Sequence, residues 1–349
     1  MEEQQYLELI SGQSQSLGAC LLRPLLRVAS WPYSAVTSVR NVMFDRDLLP
    51  VYETPAPVIS VGNLTTGGTG KTPVVAQIVQ WLAEAGAHPG IVSRGYKQLV
   101  DGGNDEARVL ELACPGVPHQ QDRDRVAATF AVVSEHGCKV IVADDAFQHR
   151  RMSRELDVVL IDACQPWGYG FVLPRGLLRE PRRGLCRADV IVMTRADQVD
   201  AESRAAIWSE VHRFKPDAPA IEIAFRPNSL LDLSGQRSPL DSVTGPVFAF
   251  CGIGNPAAFR TTLELNGLHV VGLHAFADHY HYDAADIAAL QKEATDAEAA
   301  QLITTVKDLV KLDAAWLSEM QLTALDIQSS FLCGEDDFKQ AVLKYTDAE

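Results

Sequence analysis

Apolar residues fall along the chain in short strand-like runs that alternate with helically spaced ones. Pro57-Val58-Ile59-Ser60-Val61-Gly62 is a β-branched run closed by glycine, which predicts a buried strand. From Thr72 to Ala85 the apolar positions Val75, Ile78, Val79 and Leu82 recur at helical spacing, and Gly86 follows as a stop signal. Gly90-Ile91-Val92-Ser93 predicts the next strand. The alternation continues with a helix from Asp124 to Glu135 and strands over Lys139–Ala143, Leu156–Ile161 and Asp189–Thr194. Apolar strands that take turns with helices are buried on both faces, so the pattern predicts a mostly parallel sheet flanked by helices.

Beyond about residue 220 the character changes. Val247-Phe248-Ala249-Phe250 and Gln301-Leu302-Ile303-Thr304-Thr305 predict strands of a second, smaller α/β domain, and the loop-rich stretch Pro227 to Pro246 reads as a hinge. The expected organisation is a helical segment over 1–50, a nucleotide-binding domain over 51–226, a hinge over 227–246 and a C-terminal domain over 247–349.

The N-terminal segment is apolar and aromatic, with Leu21, Leu22, Leu25, Leu26, Val28, Trp31, Tyr33 and Val36. Residues 11–40 hold Arg23, Arg27 and Arg40 and no acid. A spanning helix needs roughly 20 nearly uninterrupted apolar residues. Arg23, Pro24, Arg27 and Pro32 interrupt this one, so a span is not expected. Two readings fit equally: an amphipathic helix lying in a membrane interface, or a helix packed on the protein's own core.

Composition narrows the class only a little. Hydrophobic content of 47% and charged content of 22% belong to a packed globular chain. A net charge of −14 argues against a general nucleic-acid binder, which needs a surplus of Lys and Arg for phosphates. The seven scattered cysteines contain no Cys-x-x-Cys pair, which predicts reduced thiols and no structural zinc. The first ten residues are acidic and polar, so no secretory leader is expected.

The chemistry starts where the first strand meets the first sheet helix. Thr65-Thr66-Gly67-Gly68-Thr69-Gly70-Lys71-Thr72 occupies that junction, the context a phosphate-binding loop requires. Glycines let backbone N–H groups converge on phosphate oxygens, and the helix N-terminus adds its dipole. Lys71 would reach the β- and γ-phosphates of ATP, and the Thr72 hydroxyl would ligate Mg²⁺. Thr65 stands where the common pattern has its first glycine. A second element, an acid at the end of a neighbouring apolar strand, is supplied twice by Asp144 and Asp145: one to bind Mg²⁺, directly or through water, the other to support it.

These residues imply ATP and Mg²⁺ but name no acceptor. A hydroxyl acceptor needs a carboxylate or imidazole near the γ-phosphate. Asn104-Asp105-Glu106, Gln148-His149-Arg150 and Asp278-His279-Tyr280-His281 are the candidate clusters, with Arg94, Arg123, Arg125, Arg175 and Arg179 available to stabilise transferring charge or to bind an anionic substrate.

Taken together, the motifs resemble those of the lipid A 4′-kinase (tetraacyldisaccharide 4′-kinase) family over nearly the whole chain. The resemblance is carried by Pro57 to Leu64 leading into Gly67-Gly68-Thr69-Gly70-Lys71-Thr72-Pro73, then Ser93-Arg94-Gly95-Tyr96, Asp105-Glu106 and Asp144-Asp145-Ala146-Phe147-Gln148-His149. It continues through Leu173-Pro174, Leu178-Arg179-Glu180-Pro181, Gly252-Ile253-Gly254-Asn255-Pro256, Phe276-Ala277-Asp278-His279 and Thr305-Val306-Lys307-Asp308. Thr65 is ordinary in that family.

The resemblance implies transfer of the ATP γ-phosphate to the 4′-hydroxyl of an acylated disaccharide 1-phosphate, giving lipid IVA at the cytoplasmic face of the inner membrane. It implies Asp105 as base with His279 assisting, and it places Arg179 at the transferring charge and Glu180 with the metal. By the domain limits above, Asp105 and His279 come from different domains and would meet on closure. Two departures stand out: Ala107 follows Asp105-Glu106 where the family has proline, and Tyr280 separates the two histidines. The remaining alternative is a regulatory or metallochaperone NTPase of the phosphate-loop class.

Overall fold

The computed structural model describes residues 3–95, 105–253, 255–277, 280–317 and 320–346. His279 and Asp278, like Tyr96, Asn104 and Gly254 of the quoted motifs, lie outside the described residues. By its internal contacts the chain divides into two compact units, one of Met1–Arg94, Val117–Ala224 and Ser330–Glu349, the other of Gly95–Gly116 and Phe225–Ser329.

The first unit is a parallel sheet. Its strands are β1 (Val58–Asn63), β2 (Pro89–Ser93), β3 (His119–Gln121), β4 (Val140–Asp144), β5 (Leu156–Asp162), β6 (Val190–Thr194) and the start of β7 (Ile221–Leu231). They lie in the order β3-β2-β4-β1-β5-β6-β7, every described pairing parallel. Val58, Ile59 and Val61 are fully buried, as are Val140, Ile141, Val142 and Ala143, as apolar runs covered on both faces require. This is the α/β, phosphate-loop-like architecture that the alternating pattern predicts.

Helices of this unit follow the predicted signals. The α3 helix (Lys71–Glu84) starts after Gly70 in the left-handed region, φ 80°, and α5 (Arg125–His136) is capped by Asp124, whose carboxylate accepts from the N–H groups of Val126 and Ala127. Gly137, φ 68°, closes α5. The α6 helix (Ala201–His212) follows β6, and the C-terminal α10 (Glu335–Leu343) packs Phe338 edge-on against Trp81 of α3. Those last residues therefore join the first unit, whereas the sequence pattern places them in the C-terminal domain.

Before the sheet come α1 (Glu3–Ser11) and the long α2 (Leu17–Asp45). The helix runs unbroken through Pro24 and Pro32. Its inner face is pinned to the sheet unit by polar contacts: Ser30 Oγ donates to Val172 O and Tyr33 Oη to Arg179 O. No helix among the described residues is long and apolar enough to cross a membrane.

The second unit holds β9 (Val247–Cys251), β10 (Val270–Ala275), β11 (Gln301–Thr305) and the first part of β12 (Gln321–Cys333), parallel in the order β10-β9-β11-β12. Its helices are α4 (Asp105–Ala113), α7 (Pro256–Leu265), α8 (Ala284–Asp296) and the single-turn α9 (Val306–Leu309). Two findings differ from the sequence reading. Part of the stretch read as a hinge is paired strand, because β7 continues to Leu231 and pairs antiparallel with β8 (Arg237–Pro239). Pro227 leaves the strand short of one N–H donor, which gives it a loop-like signature.

The second difference concerns Asp105. Its helix, α4, packs on α9: Arg108 donates to Val310 O at 3.0 Å, and Leu112 joins the apolar cluster around Phe250 and Leu302. Asp105 therefore shares a unit with Ala277 and Tyr280, the described residues flanking position 279. The expectation that Asp105 and His279 belong to different domains does not match this division.

Candidate active site

The site is built at the carboxyl ends of β1 and β4, which are adjacent and in register, Val61 beside Asp144. Gly62 is required by a close approach. A Cβ there would stand 2.6 Å from Phe147 Cβ and 2.9 Å from Phe147 N, so only glycine lets the end of β1 meet the turn after β4. Asn63 follows, fully buried, and shapes the loop from beneath. Its Nδ2 donates to Thr65 O at 2.7 Å, and its Oδ1 accepts from Lys71 Nζ at 3.4 Å.

Two flanking segments clamp the loop backbone. On one side Thr66 N donates to Leu177 O and Arg179 N donates to Leu64 O, both at 2.7 Å. On the other, Thr194 Oγ1 donates to Thr69 O at 3.0 Å and Arg195 to Gly68 O at 2.8 Å, while Arg195 also pairs with Asp162. Gly67, φ 111°, and Gly70 hold backbone conformations that a side chain would strain. The clamps fix carbonyls outward, and a preorganised loop of N–H donors at the start of α3 is an anion cradle.

Lys71 and Asp145 form the polar centre, with Nζ 3.6 Å from Oδ1. Arg179 reaches the same carboxylate with one nitrogen, Nη1, 2.8 Å from both oxygens. Asp145 has a left-handed backbone, φ 48°, unusual for a residue with a side chain. Arg125, 4% exposed, holds that turn by donating to Asp144 O at 2.9 Å and Asp145 O at 3.0 Å. Burial opposes ionisation of Asp145, yet Lys71 and Arg179 outweigh it and keep the carboxyl below its ordinary range. Burial, and then the Arg125 charge, push His149 down to about 4, so its imidazole is neutral near neutral pH.

Behind this centre lies a buried carboxylate. Glu180 is 2% exposed and accepts from Asn41 Nδ2 at 2.7 Å, from Gln148 Nε2 at 3.1 Å and from Arg187 Nη2 at 2.9 Å on each oxygen. Gln148 Nε2 also donates to Asn63 O at 2.9 Å. Glu180 is thus occupied by four donor contacts that tie the arginine segment to the base of the loop, a supporting arrangement rather than a free metal ligand.

The donors available for Mg²⁺ fit a phosphate-loop site. Among the described residues no group of three His, Cys, Asp or Glu makes a closed cage. An ion completed by phosphate oxygens and water needs only the hydroxyl of Thr72, on the first turn of α3, and a carboxylate at the end of β4.

Of the sequence-predicted residues, the loop Thr65 to Thr72, Asp145 and Arg179 are brought together, and Asp144 ends the strand beside them. Asp105 opens α4 of the other unit. Three supports escaped the sequence reading, Asn41, Asn63 and Arg187, while Arg125 and Gln148, candidates there for transferring charge and for the acceptor, instead hold the Asp144–Asp145 turn and Glu180. Asn63 and Gln148 sit inside recognisable motifs, whereas Asn41 carries no local signal.

Comparison with known proteins adds an independent line. The profile of the family described as LpxK, Tetraacyldisaccharide-1-P 4'-kinase, matches residues 22–347. The chain is 37% identical to a tetraacyldisaccharide 4'-kinase of Syntrophus aciditrophicus over 314 residues, covering 82% of this chain and 84% of that protein. With one from Desulfotalea psychrophila it shares 35% identity, covering 92% of this chain and 97% of the other. Its fold is similar to the crystal structure of LpxK from Aquifex aeolicus in complex with ATP, with a TM-score of 0.74, 26% identity, and coverage of 93% and 99% of the two chains.

Proposed function

The chain belongs to the tetraacyldisaccharide-1-P 4'-kinase family, and from that premise we propose that it moves the γ-phosphoryl group of ATP onto the 4′-hydroxyl of tetraacyldisaccharide 1-phosphate. The bond from γ-phosphorus to the bridging oxygen breaks and leaves with ADP. A new bond forms from the sugar oxygen to phosphorus, giving lipid IVA, and the hydroxyl proton passes to a carboxylate. The single observation that carries the phosphate half of this reading is the Lys71–Asp145–Arg179 cluster at the clamped loop.

Lys71 is held at the loop by Asn63 Oδ1 and Asp145, ready to turn toward γ-phosphate oxygens. Arg179 lies beside it, where negative charge spreads during a loose phosphoryl transfer. Thr72 and Asp144 would hold Mg²⁺, which supplies charge neutralisation between the β- and γ-phosphates. Asp145 and Glu180 act as supports, because both are already engaged, Asp145 by Lys71 and Arg179 and Glu180 by Arg187, Asn41 and Gln148. Asp105 takes the hydroxyl proton, with His279 assisting; a sugar hydroxyl is too weak a nucleophile without such a base.

The acyl chains of the substrate call for work at a membrane surface, and α2 offers the face for it. Leu17, Leu21, Leu25, Val28 and Trp31 recur every three or four residues and all point outward, Leu21 with 72% and Leu25 with 65% of their surface exposed. The protein rests by this helix on the cytoplasmic face of the inner membrane.

A labelled-ATP transfer assay on the disaccharide 1-phosphate tests the catalytic reading. Asp105→Ala is expected to lower kcat by about 10²-fold. Hydrolysis of ATP at a comparable rate without the lipid would instead return the regulatory NTPase.

A further inference from the structure

We infer that Arg27 and Arg175, which share the Phe171 ring at the border of the exposed apolar stripe of α2, together with Arg23 one turn before Arg27, form a binding site for the phosphate of an anionic phospholipid headgroup. The inference rests on the membrane-surface reading above and goes beyond it, because it replaces a diffuse basic face with three named side chains.

The geometry is specific. The guanidinium carbons of Arg27 and Arg175 stand 5.4 Å and 4.7 Å from the centroid of the same ring. Arg175 is fixed from two sides: its Nη1 donates to Ile10 O at 2.8 Å, and its backbone N donates to Ser30 Oγ at 3.2 Å. Arg23 is fixed too, by donation to Ala19 O and Ser14 O. Among the described residues none of the three forms an ion pair, in a chain that carries a net charge of −14. Burial, then the charges of Arg23 and Arg27, pull Arg175 below the ordinary guanidinium range.

Like charges crowded without a counter-ion repel one another, and hydrogen bonds hold Arg23 and Arg175 in place against that repulsion. An anion relieves that repulsion, and phosphate suits the planar donor forks of arginine. A soluble phosphate would satisfy the charges equally. The lipid is favoured by position: Arg23 and Arg27 lie one turn apart on α2, next to Leu21, Leu25 and Val28, which would reach acyl chains while the arginines meet the headgroups.

The test is co-sedimentation of the full chain with vesicles of phosphatidylcholine alone and of phosphatidylcholine with phosphatidylglycerol. Wild type should prefer the anionic vesicles. Arg27→Gln, at an exposed residue that makes no hydrogen bond within the described structure, should reduce that preference roughly fivefold, and Arg27→Gln with Arg175→Gln further, leaving binding to neutral vesicles unchanged. Arg46→Gln, which removes the same charge from the exposed end of α2, should keep the preference. An equal loss in Arg46→Gln would reduce the effect to diffuse charge and overturn the site. Displacement from anionic vesicles by inorganic phosphate, absent in Arg27→Gln, would assign the site to a soluble anion and overturn the lipid. Leu21→Ser with Leu25→Ser separates the two levels. If it leaves binding to both vesicle types intact, the membrane reading itself fails, whatever the arginine variants do.

Discussion

Asn41 Nδ2 donates to Glu180 Oε2 at 2.7 Å, joining the long N-terminal helix to the segment that carries Arg179. One residue earlier in that segment, Tyr33 Oη donates to Arg179 O at 3.0 Å. The helix with the exposed apolar stripe is therefore also a wall of the phosphate site. Asn41→Ala would leave a buried carboxylate short of a donor, which costs about 1–3 kcal/mol. It should also lower kcat several-fold while KM for ATP changes little, because Arg179 rather than the loop loses its support. Thermal unfolding and steady-state kinetics on one preparation check both. Unchanged kcat with lowered stability would make Asn41 a packing residue only.

Asp145 serves Lys71 and Arg179 at once, and this makes a prediction about additivity. Asp145→Asn frees both cations, whereas Arg179→Met removes one of them and leaves the Lys71 contact. Groups that share a partner couple by about 0.5–3 kcal/mol in a double-mutant cycle. The double variant should lose less kcat/KM than the two single losses combined. Strict additivity across the four proteins would show that the observed bonds do not act as a unit in turnover.

The part of this site that the sequence made legible is local. Strand, glycine-rich loop and helix follow one another within the span from Val58 to Glu84, so period and punctuation sufficed for Lys71 and Thr72. Asp144 and Asp145 were legible because an apolar run ends on them. Asn41 and Glu180 are 139 residues apart, and no spacing rule connects a helix asparagine to a loop glutamate. The same holds for α4: Ala107, Leu110 and Cys114 recur at helical spacing and are buried, but nothing local says that the helix meets α9. At β7 the local signal misled. Pro227 and the polar residues after it read as a hinge, while the pairing of Leu230 and Leu231 with β8 keeps the segment in strand.

Two histidines give the chain a pH dependence of definite sign. Burial pushes His119 down to about 4, and burial with the Arg125 charge does the same to His149. In the unfolded chain both titrate near 6.5. Between those values the unfolded state binds protons that the folded state refuses, so stability falls as pH drops from about 6.5 toward 4. The lowered Asp145 acts in the same direction, over the more acidic range where an unfolded carboxylate protonates. Urea midpoints measured across this window should decline. His119→Gln with His149→Gln should flatten the decline above the carboxylate range, and an unchanged slope in that variant would refute the assignment.

Asp308 makes the last prediction, from the second unit. It is fully buried, and its carboxylate accepts from Gly252 N at 3.0 Å, Thr305 Oγ1 at 2.7 Å and Lys311 Nζ at 3.3 Å. It thus ties the end of β9 to the turn after β11. The same end of β9 holds the chain that leaves β10, since Phe276 N donates to Cys251 O at 2.9 Å. Three residues beyond Phe276 in the sequence is His279, the proposed assistant of Asp105. Asp308→Ala removes one member of a buried pair and leaves Lys311 without its counter-charge, a loss of about 3–5 kcal/mol. Asp308→Asn keeps the shape and an acceptor, and should be milder. In both variants kcat should fall while the affinity for ATP stays near wild type, because the phosphate loop belongs to the other unit. Nucleotide binding followed by calorimetry, beside the transfer assay, decides the matter: matched losses of ATP affinity and kcat would mean that Asp308 supports the whole fold and not the catalytic segment.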